Sequence, residues 1–244
     1  MISDVAVVIP ARNEEERIAA ALRSVVVAAA RCPRPVRIIT VCDACEDGTQ
    51  AAAVAALTAW RPSIVTAVAA RNVGAARQAG WELALAGCGG RAGGLWIATT
   101  DADGAVPPDW LRHQIELADR GADVVCGTVE VADWSGYPEE VRRRYLAAYA
   151  TPAGAGHGHV HGANLGIRAG WLRSLGGFPP LTAHEDRTLV RRAGRAGARI
   201  VATSRIPVVT SARLDGRSPD GFARLLRTLS RPAGPPAAAP VPAS

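Results

Sequence analysis

Two aspartates, Asp101 and Asp103, are the residues whose types and spacing most directly suggest chemistry. They follow an apolar run, Leu95 to Thr99, and precede Gly104, so both carboxylates leave a predicted strand at a sharp turn. Hard carboxylate oxygens suit Mg²⁺ or Mn²⁺, which take one or two carboxylates and complete their shell with water and phosphate oxygens. The pattern predicts a metal and diphosphate site, with a solvated Asp-Gly turn as the alternative.

Two further groups of residues could take part in catalysis. Glu185 and Asp186 stand at the start of a predicted helix, where acidic side chains also simply complement the helix dipole. His157, His159 and His161 alternate in a glycine-rich loop, a pattern that fits either a metal cluster or a flexible lid over an acceptor. Alternation alone fixes no ligand geometry, so the lid is the favoured interpretation.

Short apolar runs alternate with alanine-rich helical segments along the first half of the chain. Predicted strands are 5–9, 36–42, 64–68 and 95–99, and predicted helices are 14–31, 49–60, 73–86 and 110–120. This rhythm predicts an α/β fold with one doubly wound, mostly parallel sheet and helices on both faces. Ligands in such sheets bind beyond the carboxyl ends of the strands, which selects the loops 10–14, 43–48, 70–74 and 100–104.

The second half has a looser pattern. We predict a strand at 123–131, a basic helix at 138–150, helices at 169–175 and 184–196, strands at 199–202 and 206–210, and a last helix at 219–229. Residues 231–244 are Pro/Ala-rich without periodicity, which predicts a disordered tail. The predicted domain therefore spans residues 1–230 and divides at about residue 104 into a first half, 1–104, with a regular rhythm and a second half, 105–230, with a looser one.

Composition excludes several other classes of protein. No run approaches the ~18 apolar residues of a transmembrane helix, and the first residues do not look like a signal peptide, so we expect a cytoplasmic protein. All 28 basic residues are arginine and the net charge is +6, but no basic run is interleaved with aromatics, so nucleic acid is not an expected partner. Cys42 and Cys45 have the spacing of a metal or redox pair, but nothing completes a zinc site and small buried residues are the simpler interpretation.

Several segments together resemble the successive motifs of family 2 glycosyltransferases. They are Ile9-Pro10-Ala11-Arg12-Asn13-Glu14, residues 41–49 around Asp43, residues 71–80 from Arg71 to Gly80, Asp101-Ala102-Asp103-Gly104, residues 161–168 from His161 to Arg168, and His184-Glu185-Asp186. Their order and spacing also match, over roughly residues 4–230. The resemblance implies the GT-A fold and an inverting transfer of a sugar from a nucleotide diphosphate sugar, a UDP-sugar being favoured, to an acceptor hydroxyl.

The resemblance also implies a role for each matching residue. Asp101 and Asp103 would hold Mg²⁺ or Mn²⁺, Asp186 would be the general base, and Glu185 would orient it or the acceptor. The nucleotide sugar would contact Pro10, Ala11, Asn13, Glu14, Asp43, Asn72, Gly74, Arg77, Asp101 and Ala102, with Arg77 directed to the pyrophosphate. The acceptor would contact His161 and Asn164 in an acceptor half at 105–230, and the nucleotide sugar would bind in the half at about 1–104. Apart from the resemblance, Arg213 follows a predicted strand near the end of the fold, where it would approach phosphate or the acceptor.

Two departures and two alternatives complete the prediction. Cys42, Ala44 and Cys45 replace residues that are often Asp or Ser in the family, and no QxxRW-type segment of processive synthases is present, which favours transfer of a single sugar. The acceptor is left open as a small molecule, a lipid-linked molecule or a glycan, and a homodimer is allowed for. A nucleotidyltransferase and a non-catalytic nucleotide-sugar-binding protein are the alternative functions.

Overall fold

The structure, a computed structural model, describes residues 1–90, 92–131, 133–149 and 157–211. These residues form seven strands and seven α-helices. The strands are β1 (Asp4–Ala11), β2 (Val36–Asp43), β3 (Ser63–Val68), β4 (Leu95–Thr99), β5 (Val124–Val131), β6 (Leu165–Arg168) and β7 (Ile200–Thr210). The helices are α1 (Ile18–Ala30), α2 (Thr49–Ala56), α3 (Val73–Ala86), α4 (Trp110–Asp119), α5 (Glu139–Tyr149), α6 (Ala169–Ser174) and α7 (Glu185–Arg195).

The strands form a single sheet in the order β3-β2-β1-β4-β6-β5-β7. The pairs among β1 to β4 are parallel, as is β5 with β7, whereas β6 runs antiparallel to both β4 and β5. Because β1 lies between β2 and β4, the loops that follow these three strands open at one edge of the sheet. The prediction of one doubly wound, mostly parallel sheet is confirmed.

Both faces of the sheet are covered by helices. Adjacent residues of β1 point to opposite faces, and both kinds are fully buried: Val7 packs with α1, α2 and α4, and Val8 packs with α3, α6 and α7. Central strands buried on both sides explain why the sequence shows continuous apolar runs instead of alternation. This arrangement confirms the predicted helices on both faces.

Several predicted element boundaries are wrong. Helix α1 begins at Ile18, not at residue 14, because Glu14 to Arg17 form a turn whose first amide donates to Thr49 Oγ1 at 2.7 Å. Strand β6 was not predicted, and the predicted strands 199–202 and 206–210 are the single strand β7, whose register with β5 shifts between Gly127 and Val129. The predicted helix at 219–229 and the tail at 231–244 lie outside the described residues.

None of the described helices is long and apolar enough to cross a membrane.

Candidate active site

The Asp101–Asp103 turn follows β4, and the end of β7 lies beside it and is joined to it by backbone hydrogen bonds. The amide of Ala105 donates to the carbonyl of Val209 at 2.8 Å, and the amide of Val209 returns a bond to Ala105 at 2.9 Å. A Cβ at Gly104 would stand 2.4 Å from the Val209 oxygen, so only glycine fits there. The turn that carries both carboxylates is therefore fixed by backbone contacts, with the Ala102 side chain buried beneath it.

Asp101 and Asp103 are both partly exposed in this turn. The Asp101 side chain is 41% exposed, and its Oδ1 accepts a hydrogen bond from Arg77 Nη2 at 2.7 Å. Among the described residues no cluster of three or more His, Cys, Asp or Glu side chains could hold a metal ion. Two oxygen donors at an accessible turn fit an ion that takes one or two carboxylates and completes its shell with phosphate and water, as Mg²⁺ and Mn²⁺ do.

Arg77 joins the two acidic motifs. It lies on α3, only 2% exposed, with Nη2 bound to Asp101 and Nη1 in a short contact with Glu185 Oε1. The guanidinium fills the space beside Gly162, where a Cβ would stand 2.4 Å from Nη2. The predicted contact of Arg77 with a pyrophosphate would require this bridge to open. In the structure the residue instead links the turn after β4 to the start of α7.

Glu185 is the buried partner of that bridge. Only 4% of the Glu185 surface is exposed, so its carboxylate is not accessible to an acceptor. Glu185 and Asp186 are consecutive residues at the start of α7. Burial, and the nearby Asp186 and Asp101 carboxylates, raise the pKa of Glu185 against the attraction of Arg77. Glu185 contacts Arg77, and a role of Glu185 in orienting Asp186 or the acceptor stays a prediction.

Asp186 is the more exposed member of the pair and is held by two backbone amides. Oδ2 accepts from the amide of Gly162 at 2.6 Å, and Oδ1 accepts from the amide of Arg187 at 2.6 Å. The preceding residue, His184, has a left-handed backbone (φ 61) that starts α7. An oriented, partly exposed carboxylate beside the Arg77 bridge has the placement that a general base needs.

Gly162 is a site residue that sequence reasoning did not single out. Its amide binds Asp186, its carbonyl accepts from Thr99 Oγ1 in a short hydrogen bond, and its missing side chain makes room for Arg77. It thereby connects the end of β4, α3 and α7. A glycine between His161 and Ala163 was the only signal in the sequence, and that signal is shared with many surface loops.

The three histidines form a stack, not a metal cluster. Ring centroids are 5.7 Å apart for His157 and His159, and 6.1 Å apart for His159 and His161, with the second pair nearly parallel. Nε2 of His157 lies 3.1 Å from the carbonyl oxygen of Thr203. Burial lowers the pKa of His161 to about 4, although the nearby Asp186 carboxylate opposes this shift. His161 therefore borders the site as a neutral ring at neutral pH.

Asn164 does not have the predicted acceptor contact. It is fully buried; its Oδ1 accepts from Trp110 Nε1 at 2.8 Å, and its Nδ2 donates to the carbonyls of Thr128 and Ile206, both at 2.8 Å. With both amide hydrogens used and no exposed surface, the side chain has nothing to offer a sugar hydroxyl. It is a structural residue that joins α4, β5 and β7. Arg213, the other predicted acceptor contact, lies outside the described residues.

The loops predicted to hold the nucleotide are tied to one another. Asp43, at the end of β2, is 4% exposed and accepts from the amides of Ala70, Arg71 and Asn72 at 2.8, 2.8 and 2.6 Å. Its carboxylate therefore shapes the 70–72 loop, and a nucleotide contact by Asp43 stays a prediction. Asn13 Oδ1 accepts from the amide of Glu46 at 2.8 Å, which joins the loops after β1 and β2.

Two residues at the start of α3 face a neighbouring loop. Asn72 caps the helix by accepting from the amide of Ala75 at 3.0 Å and donates to the carbonyl of Pro180 at 3.0 Å. A Cβ at Gly74 would stand 2.1 Å from the carbonyl oxygen of Pro179. The close approach that requires this glycine is therefore to the chain just before α7, whereas the sequence interpretation assigned it to the nucleotide.

A cavity of about 330 Å³ opens beside the first loop. It is lined by Asn13, Glu15, Glu16, Arg17, Glu46 and Asp47. Four carboxylates would repel a diphosphate but can accept hydrogen bonds from ribose hydroxyls or from a base N–H. Pro10, Ala11 and Glu14 are all buried at the floor of the same loop, so their contacts with a nucleotide stay predictions.

Cys42 is a buried side chain, whereas Cys45 is only partly buried. Burial raises the pKa of the Cys42 thiol to about 12, and Cys45 Sγ donates to the carbonyl of Ala11 at 3.4 Å. A thiol kept protonated is a poor metal ligand and a poor nucleophile. The geometry agrees with the simpler interpretation for Cys42.

Comparison with known proteins gives the family. The profile of Glycosyl transferase family 2 matches residues 6–176. Curated relatives include the succinoglycan biosynthesis protein ExoO of Rhizobium meliloti, 35% identical over 136 residues, which are 55% of this chain and 36% of that protein. Another is the undecaprenyl-phosphate 4-deoxy-4-formamido-L-arabinose transferase of Pectobacterium atrosepticum, 32% identical over 130 residues, 52% of this chain and 37% of that protein. The matches thus span little more than a third of these relatives.

Solved structures share the fold. The mannosyltransferase PcManGT of Pyrobaculum calidifontis, in complex with GDP-Man and Mn²⁺, has a TM-score of 0.65 at 20% identity, over 94% of this chain and 70% of that one. The S. aureus TarS 1–349 complex with UDP has a TM-score of 0.63 at 18% identity, over 85% of this chain and 60% of that one. With the sheet order and the family match together, the chain belongs to glycosyl transferase family 2 and has the GT-A fold.

Proposed function

We propose that this chain is a metal-dependent, inverting glycosyltransferase that moves one sugar from a nucleotide diphosphate donor to an acceptor hydroxyl. The observation that carries the proposal is the Arg77 bridge, because it brings the accessible acids of the β4 turn and the acids of α7 to one place. A transferase needs these two acidic groups for separate tasks, one at the leaving diphosphate and one at the attacking hydroxyl. A protein that only binds nucleotide sugars has no use for the second.

Asp101 and Asp103 would hold the divalent ion, whose charge stabilises the departing diphosphate when it is bound. Both side chains are partly exposed and lie two positions apart in one turn, which suits metal binding. Two structural neighbours bound to UDP or to GDP-Man with Mn²⁺ support a nucleotide donor for this chain. We propose a UDP-sugar because the motif resemblance favours this donor, and the acidic cavity at Asn13 could accept a hydrogen bond from its base N–H.

Asp186 would take the proton of the acceptor hydroxyl as its oxygen attacks the anomeric carbon. A bond forms between that oxygen and the anomeric carbon, and the bond from the carbon to the phosphate oxygen breaks with its electron pair. The proton remains on the Asp186 carboxylate, and the configuration at the carbon is inverted. The amides of Gly162 and Arg187 fix the carboxylate during this step, and neutral His161 lines its approach.

Donor binding can be tested by thermal unfolding of the chain with a set of nucleotide sugars, each with and without Mn²⁺. We expect one donor to raise the Tm by roughly 5–10 °C when present at about a hundredfold its Kd, and only when Mn²⁺ is added. The same nucleotide sugars with EDTA serve as the control. A chain stabilised by none of them, or equally with EDTA, would contradict the proposed metal-dependent donor site.

A further inference from the structure

The outer face of α7 carries four exposed arginines, Arg187, Arg191, Arg192 and Arg195, which we call the α7 arginine row. Arg187, Arg191 and Arg195 are spaced four residues apart, so they lie along one face of the helix over about 12 Å. Within the described ranges, none of the four side chains forms an ion pair or a hydrogen bond. The row is therefore a strip of positive charge without a partner in the described part of the chain.

The helix itself explains only half of this row. Arg192 and Arg195 lie in the last turn, where positive charge complements the helix dipole. Arg191 lies before that turn, and Arg187 lies in the first turn, where a positive charge opposes the dipole. By contrast, all three arginines at 142–144 on α5 pair with Glu139 or Glu140. The unpaired charge of α7 is thus available to an anionic partner outside the described residues.

Exposed apolar side chains stand near both ends of α7. Leu181, four residues before the helix, is 40% exposed, and Ile200, five residues after it, is 38% exposed. The Ile200 side chain lies over Gly194, because its Cδ1 is 3.1 Å from the position of a Cβ there. These are two of the six large exposed apolar side chains among the described residues. Clusters of Lys or Arg on an amphipathic helix are the pattern that binds anionic lipid headgroups, and exposed apolar side chains beside such a cluster can enter the bilayer boundary.

We propose that the outer face of α7 docks on an anionic phospholipid surface. The α7 arginine row would lie among the lipid phosphates, and Leu181 and Ile200 would enter the boundary of the acyl region. Single-stranded nucleic acid is the less suitable polyanion, because α7 carries no aromatic side chain on which a base could stack. Because Arg187 directly follows Asp186, docking would bring the candidate active site close to the lipid headgroups. The further idea that an acceptor hydroxyl is presented at this surface rests on the proposed function.

Co-sedimentation with vesicles tests the docking without any transfer reaction. The full chain would be mixed with vesicles of phosphatidylcholine alone, or of phosphatidylcholine with phosphatidylglycerol. We expect binding to the anionic vesicles only, and a loss of about 30-fold in Arg191→Gln/Arg195→Gln, since each arginine at an anionic surface contributes about fivefold. The matched control is Arg23→Gln/Arg31→Gln, which removes one exposed arginine of α1 and the exposed arginine that directly follows this helix, on the opposite face of the sheet.

The outcomes separate the docking from its alternatives. The control is expected to bind like the unmodified chain, and circular dichroism would verify that both variants are folded. Equal losses in both variants would show a general charge effect and overturn the assignment to α7. Absence of binding to anionic vesicles, or tighter binding to a duplex DNA that the Arg191/Arg195 variant loses, would also overturn it. Each of these results leaves the nucleotide-sugar experiment above unaffected.

Discussion

Replacing Asp186 by Asn is expected to slow sugar transfer by about 10²–10⁴-fold, the usual contribution of a general base. Asn has nearly the same shape as Asp and retains one oxygen, which can accept from the amide of Gly162 while the bond from the amide of Arg187 is lost, so we expect the loop and α7 to stay in place. It cannot take up the proton of an attacking hydroxyl. Donor binding should therefore persist while turnover is lost, as measured by nucleotide diphosphate release from the donor that the unfolding screen identifies.

The matched control for this prediction is Asp133→Asn. Asp133 is an exposed carboxylate whose Oδ1 accepts from the amide of Ser135 at 2.8 Å, so the same chemical change is made away from the Arg77 bridge. This variant should turn over normally. Unchanged turnover in Asp186→Asn would reject Asp186 as the base, and loss of donor binding in it would show that the residue acts on the donor side instead.

Replacing Arg77 by Met is expected to destabilise the fold by about 3–5 kcal/mol, because Glu185 would then be a buried carboxylate without its partner. Asp101 would suffer less, since its side chain is 41% exposed and water can solvate it. Urea unfolding of the two proteins measures the difference. The exposed pair Arg71 and Glu46 provides the control: Arg71→Met should cost no more than about 1 kcal/mol.

A double variant separates the stability of the bridge from its role in the site. Arg77→Met with Glu185→Leu removes both buried charges, and apolar replacements of a buried ion pair are often neutral for stability. We expect much of the lost stability to return while transfer stays low, because Asp101 and α7 are no longer joined. Recovery of both stability and activity would mean that the bridge only balances charge. A cost below about 1 kcal/mol for Arg77→Met would contradict the buried bridge itself.

Local patterns predicted the first half of the fold well. Helix α3 and strand β4 have the predicted limits, because Asn72 is a good helix cap and because five consecutive buried residues from Leu95 form an uninterrupted apolar run. The turn of Asp101 and Asp103 was placed correctly for the same reason. In these segments the neighbouring residues in sequence carry most of the information.

The second half depends on contacts that sequence patterns do not contain. Strand β6 has only four residues and one of them is Gly166, where a Cβ would meet the side chains of Gln114 and Trp96. Strand β6 lies between β4 and β5 and pairs antiparallel with both. No periodic pattern in the sequence predicts this position. Strand β7 continues through a register shift against β5, in which β7 has the extra residues, so two predicted strands are one. Short strands in the middle of a sheet are fixed by tertiary packing.

The site shows the same limit at the level of single side chains. The motif resemblance assigned Asn164 to an acceptor and Arg77 to a pyrophosphate. In the structure Asn164 is a buried side chain that joins neighbouring elements of the fold. Arg77 bridges Asp101 and Glu185, and Glu185 is 108 residues away from Arg77 in the sequence. The residue types correctly indicated that these two side chains have specific polar partners. The atoms that they bind depend on burial and on partners distant in sequence. The importance of Gly162 became visible only from its three neighbours in the structure, Arg77, Thr99 and Asp186.

The most direct test of the account is calorimetric titration of the identified nucleotide sugar into the chain and into Asp103→Asn, each with Mn²⁺ and with EDTA. We predict tight binding to the unmodified chain only with Mn²⁺, and a loss of at least about tenfold in Asp103→Asn, since even outer-shell partners of a metal contribute 10–100-fold. Binding to Asp103→Asn with unchanged affinity and unchanged dependence on Mn²⁺ would contradict the assignment of the metal to this turn.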